Sequence, residues 1–217
     1  MEGLIYKVQP YKENTKLLFI YTMEGKRTLV AHSALKLNHP NRILSQYLTL
    51  IAFKDQKKNM MGLSDAKLID SFESIKSDYE KTQSAAIILE ILDKLVDESL
   101  HHATIYPMAK KALMAQSITV SSLMFAIKIQ KQLGYQIDLS PDGRTIKGIN
   151  IEKGGLTYEG ESYRIDLDTQ RAIDVLKLNA LSFDDEITLS IESMNALKHF
   201  MYNYIEHHLQ TPIKNLK

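Results

Sequence analysis

The 217-residue chain contains no cysteine. That absence removes disulfides, thiolate zinc sites and cysteine nucleophiles together, and it fits a reducing compartment. No apolar run approaches the ~20 residues that a bilayer span requires. The N-terminal residues Met1-Glu2-Gly3-Leu4-Ile5-Tyr6-Lys7 lack a signal-peptide core and a cleavage site, so a cytoplasmic protein without membrane partners is expected. Also missing are a GxxxxGK[ST] phosphate loop, a GxGxxG after a strand, an HExxH pair and a GxSxG elbow. Two histidine pairs are present, His101-His102 and His207-His208. Adjacent helical residues point about 100° apart, so neither pair chelates a metal from one face. His199 stands eight residues, about two turns, from His207, too far for a shared ligand sphere. The acidic run Asp184-Asp185-Glu186 reads as a solvated loop rather than a divalent-ion site. No catalytic residue, metal ligand set or cofactor is assigned, and a non-enzymatic protein is expected.

What the chain does contain is unevenly placed charge. Residues 1–60 carry ten basic side chains against four acidic ones, a net +6. The whole chain is only +1, so the remainder sums to −5. A near-neutral protein with one basic lobe has a polarised field, and a polyanion is expected to dock on that lobe. The composition, 44% hydrophobic and 24% charged, is that of a globular protein able to bury a core.

Residues 3–70 read as strands separated by turns. Leu4-Ile5-Tyr6-Lys7-Val8-Gln9 is rich in β-formers and stops at Pro10. Lys16–Thr22 and Arg27–Ala31 flank a Met23-Glu24-Gly25-Lys26 hairpin turn in which Gly25 supplies positive φ. A polar segment from His32 to Asn41 leads to Tyr47–Phe53, and Met60–Ile69 supplies a fifth strand. Five short strands in about seventy residues suggest a Greek-key barrel of the OB type, with an SH3-like barrel fitting the strand count almost as well. The period then changes to 3.6: Ile87, Ile88, Ile91, Leu92, Leu95 and Val96 form one helical stripe. Ser77-Asp78-Tyr79-Glu80 has capping-box spacing, Pro107 suits a helix first turn, and Gly134 ends a helix from Val120 to Leu133. Pro141-Asp142-Gly143-Arg144 and Gly154-Gly155 are turn signals, and Thr145–Ile151 with Leu156–Tyr163 reads as a small hairpin. Helical periodicity returns at Thr169–Leu181 and Ile191–Leu209. The expected class is α+β: an OB-type barrel over 1–72, a helical domain over 73–135 and 166–217, and a small β insertion over 136–165.

OB-folds bind single strands through a basic groove and aromatic faces, with stacking worth ~1–3 kcal/mol per base. Lys12, Lys16, Lys26, Arg27, Lys36, Arg42, Lys54, Lys57 and Lys58 are the candidate phosphate contacts. Tyr11 and Tyr47, at strand boundaries, are the candidate stacking rings, whereas Phe19 and Phe53 are assigned to the core. Each residue taken singly is more often ordinary barrel surface; the density of charge makes the collective case.

The order of elements resembles the RecO family of bacterial recombination mediators over nearly the full length. The matching residues are Tyr6-Lys7-Val8-Gln9-Pro10-Tyr11, Lys16-Leu17-Leu18 and the Met23–Lys26 turn, then Ala31-His32-Ser33-Ala34-Leu35-Lys36 and Leu44-Ser45-Gln46-Tyr47. Further on they are Ala66–Phe72, Leu133-Gly134-Tyr135, Gly154-Gly155-Leu156, and Tyr204–Leu209 with Pro212-Ile213-Lys214. The resemblance implies an OB barrel, a helical domain and a zinc-finger-like insertion. It also implies a nucleoid-associated protein that binds single-stranded DNA, and double-stranded DNA as well, works with RecR, loads RecA on strands coated by single-strand-binding protein, and anneals complementary strands.

Two departures bear on that implication. Many RecO-like proteins place paired cysteines in the insertion; here those stretches read Asp138–Gly143 and Gly154–Tyr158, so a structural zinc is not expected. There is also no arginine between Phe72 and Tyr135. Where family members grip the acidic tail of single-strand-binding protein, only lysines such as Lys128 and Lys131 are available, and a lysine lacks the bidentate fork of arginine. A rival reading is an adaptor that binds proteins and has little affinity for DNA, with Met108, Met114, Leu123 and Met124 forming a groove.

Overall fold

The computed structural model describes residues 1–55 and 60–217, so the candidates Lys57 and Lys58 lie outside the described residues. Strands β1 (Glu2–Tyr11), β2 (Thr15–Thr22) and β3 (Gly25–Ala31) form an antiparallel meander. Gly25, at φ +105°, makes the β2–β3 turn possible, since a side chain there would be strained. β4 (Thr49–Ala52) returns antiparallel to the first half of β1. β5 (Met61–Gly62) pairs parallel with β3, and β6 (Lys67–Asp70) pairs antiparallel with β4.

The sheet order is therefore β5-β3-β2-β1-β4-β6. Its two outer strands are separated only by residues 63–66, so one stretch of chain borders both edges and the sheet curls. The single fifth strand expected over Met60–Ile69 is instead two, making six strands rather than five among the described residues. The break falls where the chain exchanges β3 for β4 as partner, and Asp65 turns there with φ +50°.

Alternation along the strands feeds two cores. Ile5, Leu18, Ile20, Leu29, Ile51 and Phe53 fill the inside of the curl, and Ala34 and Leu44 of the β3–β4 connection plug one end. On the outer face Leu4, Tyr6, Tyr21, Leu48 and Leu50 belong to the larger core, which they share with the helices. Phe19, expected inside, lies half-buried on the outer face, its ring 6.4 Å from that of Tyr6. Phe19 alternates with Leu18 and Ile20, which point into the curl, so β2 turns its ring outward.

Helices α1 (Asn41–Leu44) and α2 (Glu73–Lys76) are single turns. α3 (Tyr79–Lys94), α4 (His102–Met114), α5 (Ile118–Gln132), α6 (Thr169–Ala180) and α7 (Ile191–Leu209) make the helical part. α5 is buried on every side from Val120 to Ile127 and touches α3, α4, α6 and α7, so it is the central rod. It ends as expected at Gly134, with φ +82° and Tyr135 N donating to Gln130 O at 2.9 Å.

Two start signals are displaced. The cap of α3 is Asp78, which accepts from Lys81 N at 3.1 Å, because Ser77 is occupied closing α2. α4 begins at His102, a turn before Pro107, which therefore sits inside the helix and removes one backbone donor. Between α5 and α6 the hairpin β7 (Ile146–Asn150)–β8 (Gly155–Tyr158) gains a third strand, β9 (Leu167–Asp168), on the far side of β7. α7 anchors this insertion: the ring of His208 bonds through Nε2 to Ile151 O at 2.9 Å.

Candidate nucleic-acid interface

The strand register sorts the basic side chains of the N-terminal lobe into two groups at opposite ends of the curled sheet. Tyr11 pairs with Thr15, and Lys16 faces both Pro10 and Ala31. The β1–β2 turn and the start of the β3–β4 connection therefore share one end. Lys12, Lys16, Lys36 and Arg42 gather here with Tyr11. Lys16 Nζ donates to Ser45 O at 3.3 Å, which ties the strand to the connection. Arg42 Nη1 reaches Leu37 O at 3.4 Å and leaves the rest of its exposed guanidinium to solvent. Lys12, in the left-handed region at φ +52°, holds its ammonium 5.3 Å from the Tyr11 ring centre. Glu13 is the one carboxylate of the β1–β2 turn, and residues 25–54 contain no Asp or Glu at all.

The opposite end is different. Arg27 pairs with Glu24 at 3.1 Å and approaches Asp55 at 3.8 Å. Lys54 is exposed but borders a 700 Å³ hollow shared with Glu2, Glu24, Asp55 and Tyr106. Lys26 points away from both ends, onto the C-terminal turn of α3, where Nζ donates to Asp93 O at 2.8 Å. Burial there pushes its pKa down, and a cation on the last turn of a helix complements the helix dipole. Lys7 makes the companion ion pair with Asp93 Oδ2 at 3.0 Å. These are docking contacts between sheet and helices rather than free phosphate ligands. Further docking bonds run from Tyr106 Oη and Lys110 Nζ to Glu2 Oε1 at 2.7 and 2.8 Å, and between Tyr21 Oη and His102 Nδ1 at 3.0 Å.

The two candidate stacking rings also separate. Tyr11 stands on the outer face at the basic end. Tyr47 lies towards α3, where burial together with the Glu90 and Asp93 carboxylates pushes its phenol up to about 12. Tyr47 keeps 38% of its area accessible there, and Tyr11 is the ring beside the Lys12 ammonium.

The connection from His32 to Asn41, expected to be polar, also exposes apolar side chains. Leu35 and Leu37, and Ile43 of α1 just beyond, stand out of the surface, Leu37 with 80% of its area accessible. Two leucines in a stretch with no strand or helix period, followed closely by Ile43, are the signal that sequence reading passed over. On the helical side, Lys128 Nζ donates to Asn179 O at 2.6 Å and is pushed down by burial, whereas Lys131 is exposed on the last turn of α5. Of the four groove candidates, Leu123 is fully buried, Met108 packs against the core, and only Met114 and Met124 border an open hollow. Among the described residues no group of three His, Asp or Glu side chains is placed to hold a metal ion, and no helix is long and apolar enough to cross a membrane.

Comparison with known proteins gives this geometry a context. The family profile described as "Recombination protein O C terminal" matches residues 76–217. The chain is similar to the DNA repair protein RecO of Desulforamulus reducens, 24% identical over 99% of this chain and 91% of that one. The DNA repair protein RecO of Clostridium perfringens is 32% identical over 61% of this chain and 57% of its own length. That of Oceanobacillus iheyensis is 21% identical over 100% and 91%. With well over half of its length inside the matched profile, the chain belongs to the RecO family.

Proposed function

We propose that this chain serves DNA repair and recombination as a non-enzymatic mediator that captures single-stranded DNA on the basic end of its curled sheet. The observation that carries the reading is that Lys12, Lys16, Lys36 and Arg42 lie at the same end of the sheet as Tyr11, with Glu13 as the lone carboxylate of the β1–β2 turn. Basic side chains track the phosphates, and the ring offers one stacking face. In this reading the curled sheet is an OB barrel whose fifth strand is interrupted. The β insertion is then a zinc-free counterpart of the family's finger, and residues 1–72, 73–135, 136–165 and 166–217 are its four segments. Kinship supports cooperation with RecR, loading of RecA, strand annealing, use of duplex DNA and association with the nucleoid as parts of this reading. A contact of Lys131 with the acidic tail of single-strand-binding protein would be weak, because Lys128 is already bonded.

The test is fluorescence anisotropy of a labelled oligonucleotide across a salt series. Four neutralised phosphates give a log–log slope of about −2.8 for a single strand, and replacing Lys36 and Arg42 by alanine flattens it by about 1.4. An unchanged slope removes the β3–β4 connection from the footprint. The exposed Leu35, Leu37 and Ile43 favour a second reading, a protein-binding adaptor. Absence of oligonucleotide binding at low salt selects it.

A further inference from the structure

The helical part carries an open groove of about 410 Å³ where α4 ends, α5 begins and the α6–α7 loop crosses over. Val120, Met124, Phe183 and Met194 supply an apolar floor, and Met114, more than half exposed, forms one lip. The other lip is Asp184-Asp185-Glu186, and no lysine or arginine is among the residues lining the groove. That size suits a few apolar side chains rather than a whole folded surface.

The field at the groove is negative. The exposed start of α5 contributes roughly +0.5 of a charge, while the loop contributes three carboxylates. Asp185 is held in its turn, accepting from Ser182 N at 2.7 Å. Asp184 lies 3.7 Å from Lys111 Nζ, a long and exposed pair that offsets one charge at most. Glu186 is exposed, and the rim therefore stays net negative. An acidic segment would meet like charge here, and a neutral one would gain nothing from the rim.

We propose that this groove docks a short segment of a partner protein in which apolar side chains are flanked by lysine or arginine. The apolar side chains fill the floor between Met124 and Phe183, and the flanking cations pair with Asp184 and Glu186. The site is separate from Lys131, which lies eleven residues beyond Val120, about 16 Å along α5.

Two labelled peptides with the same Leu/Met centre, one flanked by lysines and arginines and one by aspartates, are titrated against the full chain. The basic peptide is expected to bind and the acidic one not. The double variant Asp184→Lys, Glu186→Lys, confined to exposed positions, lowers the affinity for the basic peptide about tenfold. A second variant, Met124→Asp, abolishes binding, with circular dichroism reporting whether its fold is intact. The proposal is overturned if the acidic peptide binds as well as the basic one, or if neither binds at millimolar concentration. It is also overturned if sedimentation shows a self-association of the chain that the charge reversal removes, which would make a second copy the occupant.

Discussion

Lys26 and Lys36 look alike in the sequence, two lysines in a basic stretch, yet their positions give them opposite work. Lys26 faces the same side of the sheet as Tyr21, because the two are register partners, and that side is covered by α3 and α4. Its ammonium bonds the carbonyl of Asp93 and passes 5.5 Å from the Tyr6 ring centre. Lys26→Ala is expected to destabilise the fold by ~1–2 kcal/mol, through a lost charged hydrogen bond and lost packing of its stem, while leaving the salt slope of oligonucleotide binding unchanged. Urea denaturation and the anisotropy series measure the two effects separately, and a flattened slope for Lys26→Ala would return that residue to the footprint. Gly154 and Gly155 make the same point with identical neighbours. Gly154 is needed for φ +74°, whereas a Cβ at Gly155 would stand 2.5 Å from the backbone oxygen of Asp138. Gly155→Ala is expected to cost ~2–4 kcal/mol by forcing apart the bridge between Asp138 and the hairpin, read as a lower urea midpoint.

Among the elements, those that end on local chemistry were legible and those that end on a tertiary contact were not. Gly134 and the capped start of α7 at Ser190 are local, and the expected limits of both helices agree with the structure to within two residues. The interruption between β5 and β6, the start of α4 ahead of Pro107 and the third strand of the insertion all depend on partners distant in sequence. Periodicity cannot show them. The short closing turn Lys214–Leu216 depends on such a partner too. Glu90 of α3 accepts from Lys214 N and Asn215 N, both at 2.9 Å, and pairs with Lys94 at 2.7 Å. Desolvation acts to raise its pKa, but these donors outweigh it and hold the carboxyl below its ordinary 4.5. A carboxylate with a depressed folded pKa contributes stability that is complete above the unfolded value and is lost as pH falls through the folded one. Wild type should therefore melt above Glu90→Gln at pH 7, and the gap should close as pH drops below 4.5. A gap that stays constant down to pH 3 would show that the charge of Glu90 is not what fastens the C-terminus.

At the scale of the whole molecule, the charge imbalance that dominates the sequence is divided by the fold. Part of the positive charge of residues 1–60 joins the sheet to the helices through Lys7 and Lys26. Part is neutralised at the far end by Glu24 and Asp55, and Lys12, Lys36 and Arg42 stand exposed at the Tyr11 end. The change of period beyond residue 72 invites a reading as independent domains, but the larger core crosses it. Leu4, Tyr6, Tyr21, Leu48 and Leu50 from the strands pack in one cluster with Ile88, Leu92, Ile105 and Tyr106 from α3 and α4. Removing the helices would uncover five large apolar side chains, each worth roughly 1.5–3 kcal/mol of burial, on a small sheet whose own interior is modest. Such a sheet has little stability of its own to set against that loss. The expected outcome is one cooperative urea transition for the full chain, coincident by far-ultraviolet circular dichroism and by tyrosine fluorescence, and a 1–72 fragment that does not fold alone. Two separated transitions, or a fragment with a transition of its own, would show that the sheet is an autonomous unit and that the contacts of Lys7, Lys26 and Glu2 merely fasten it to the helices.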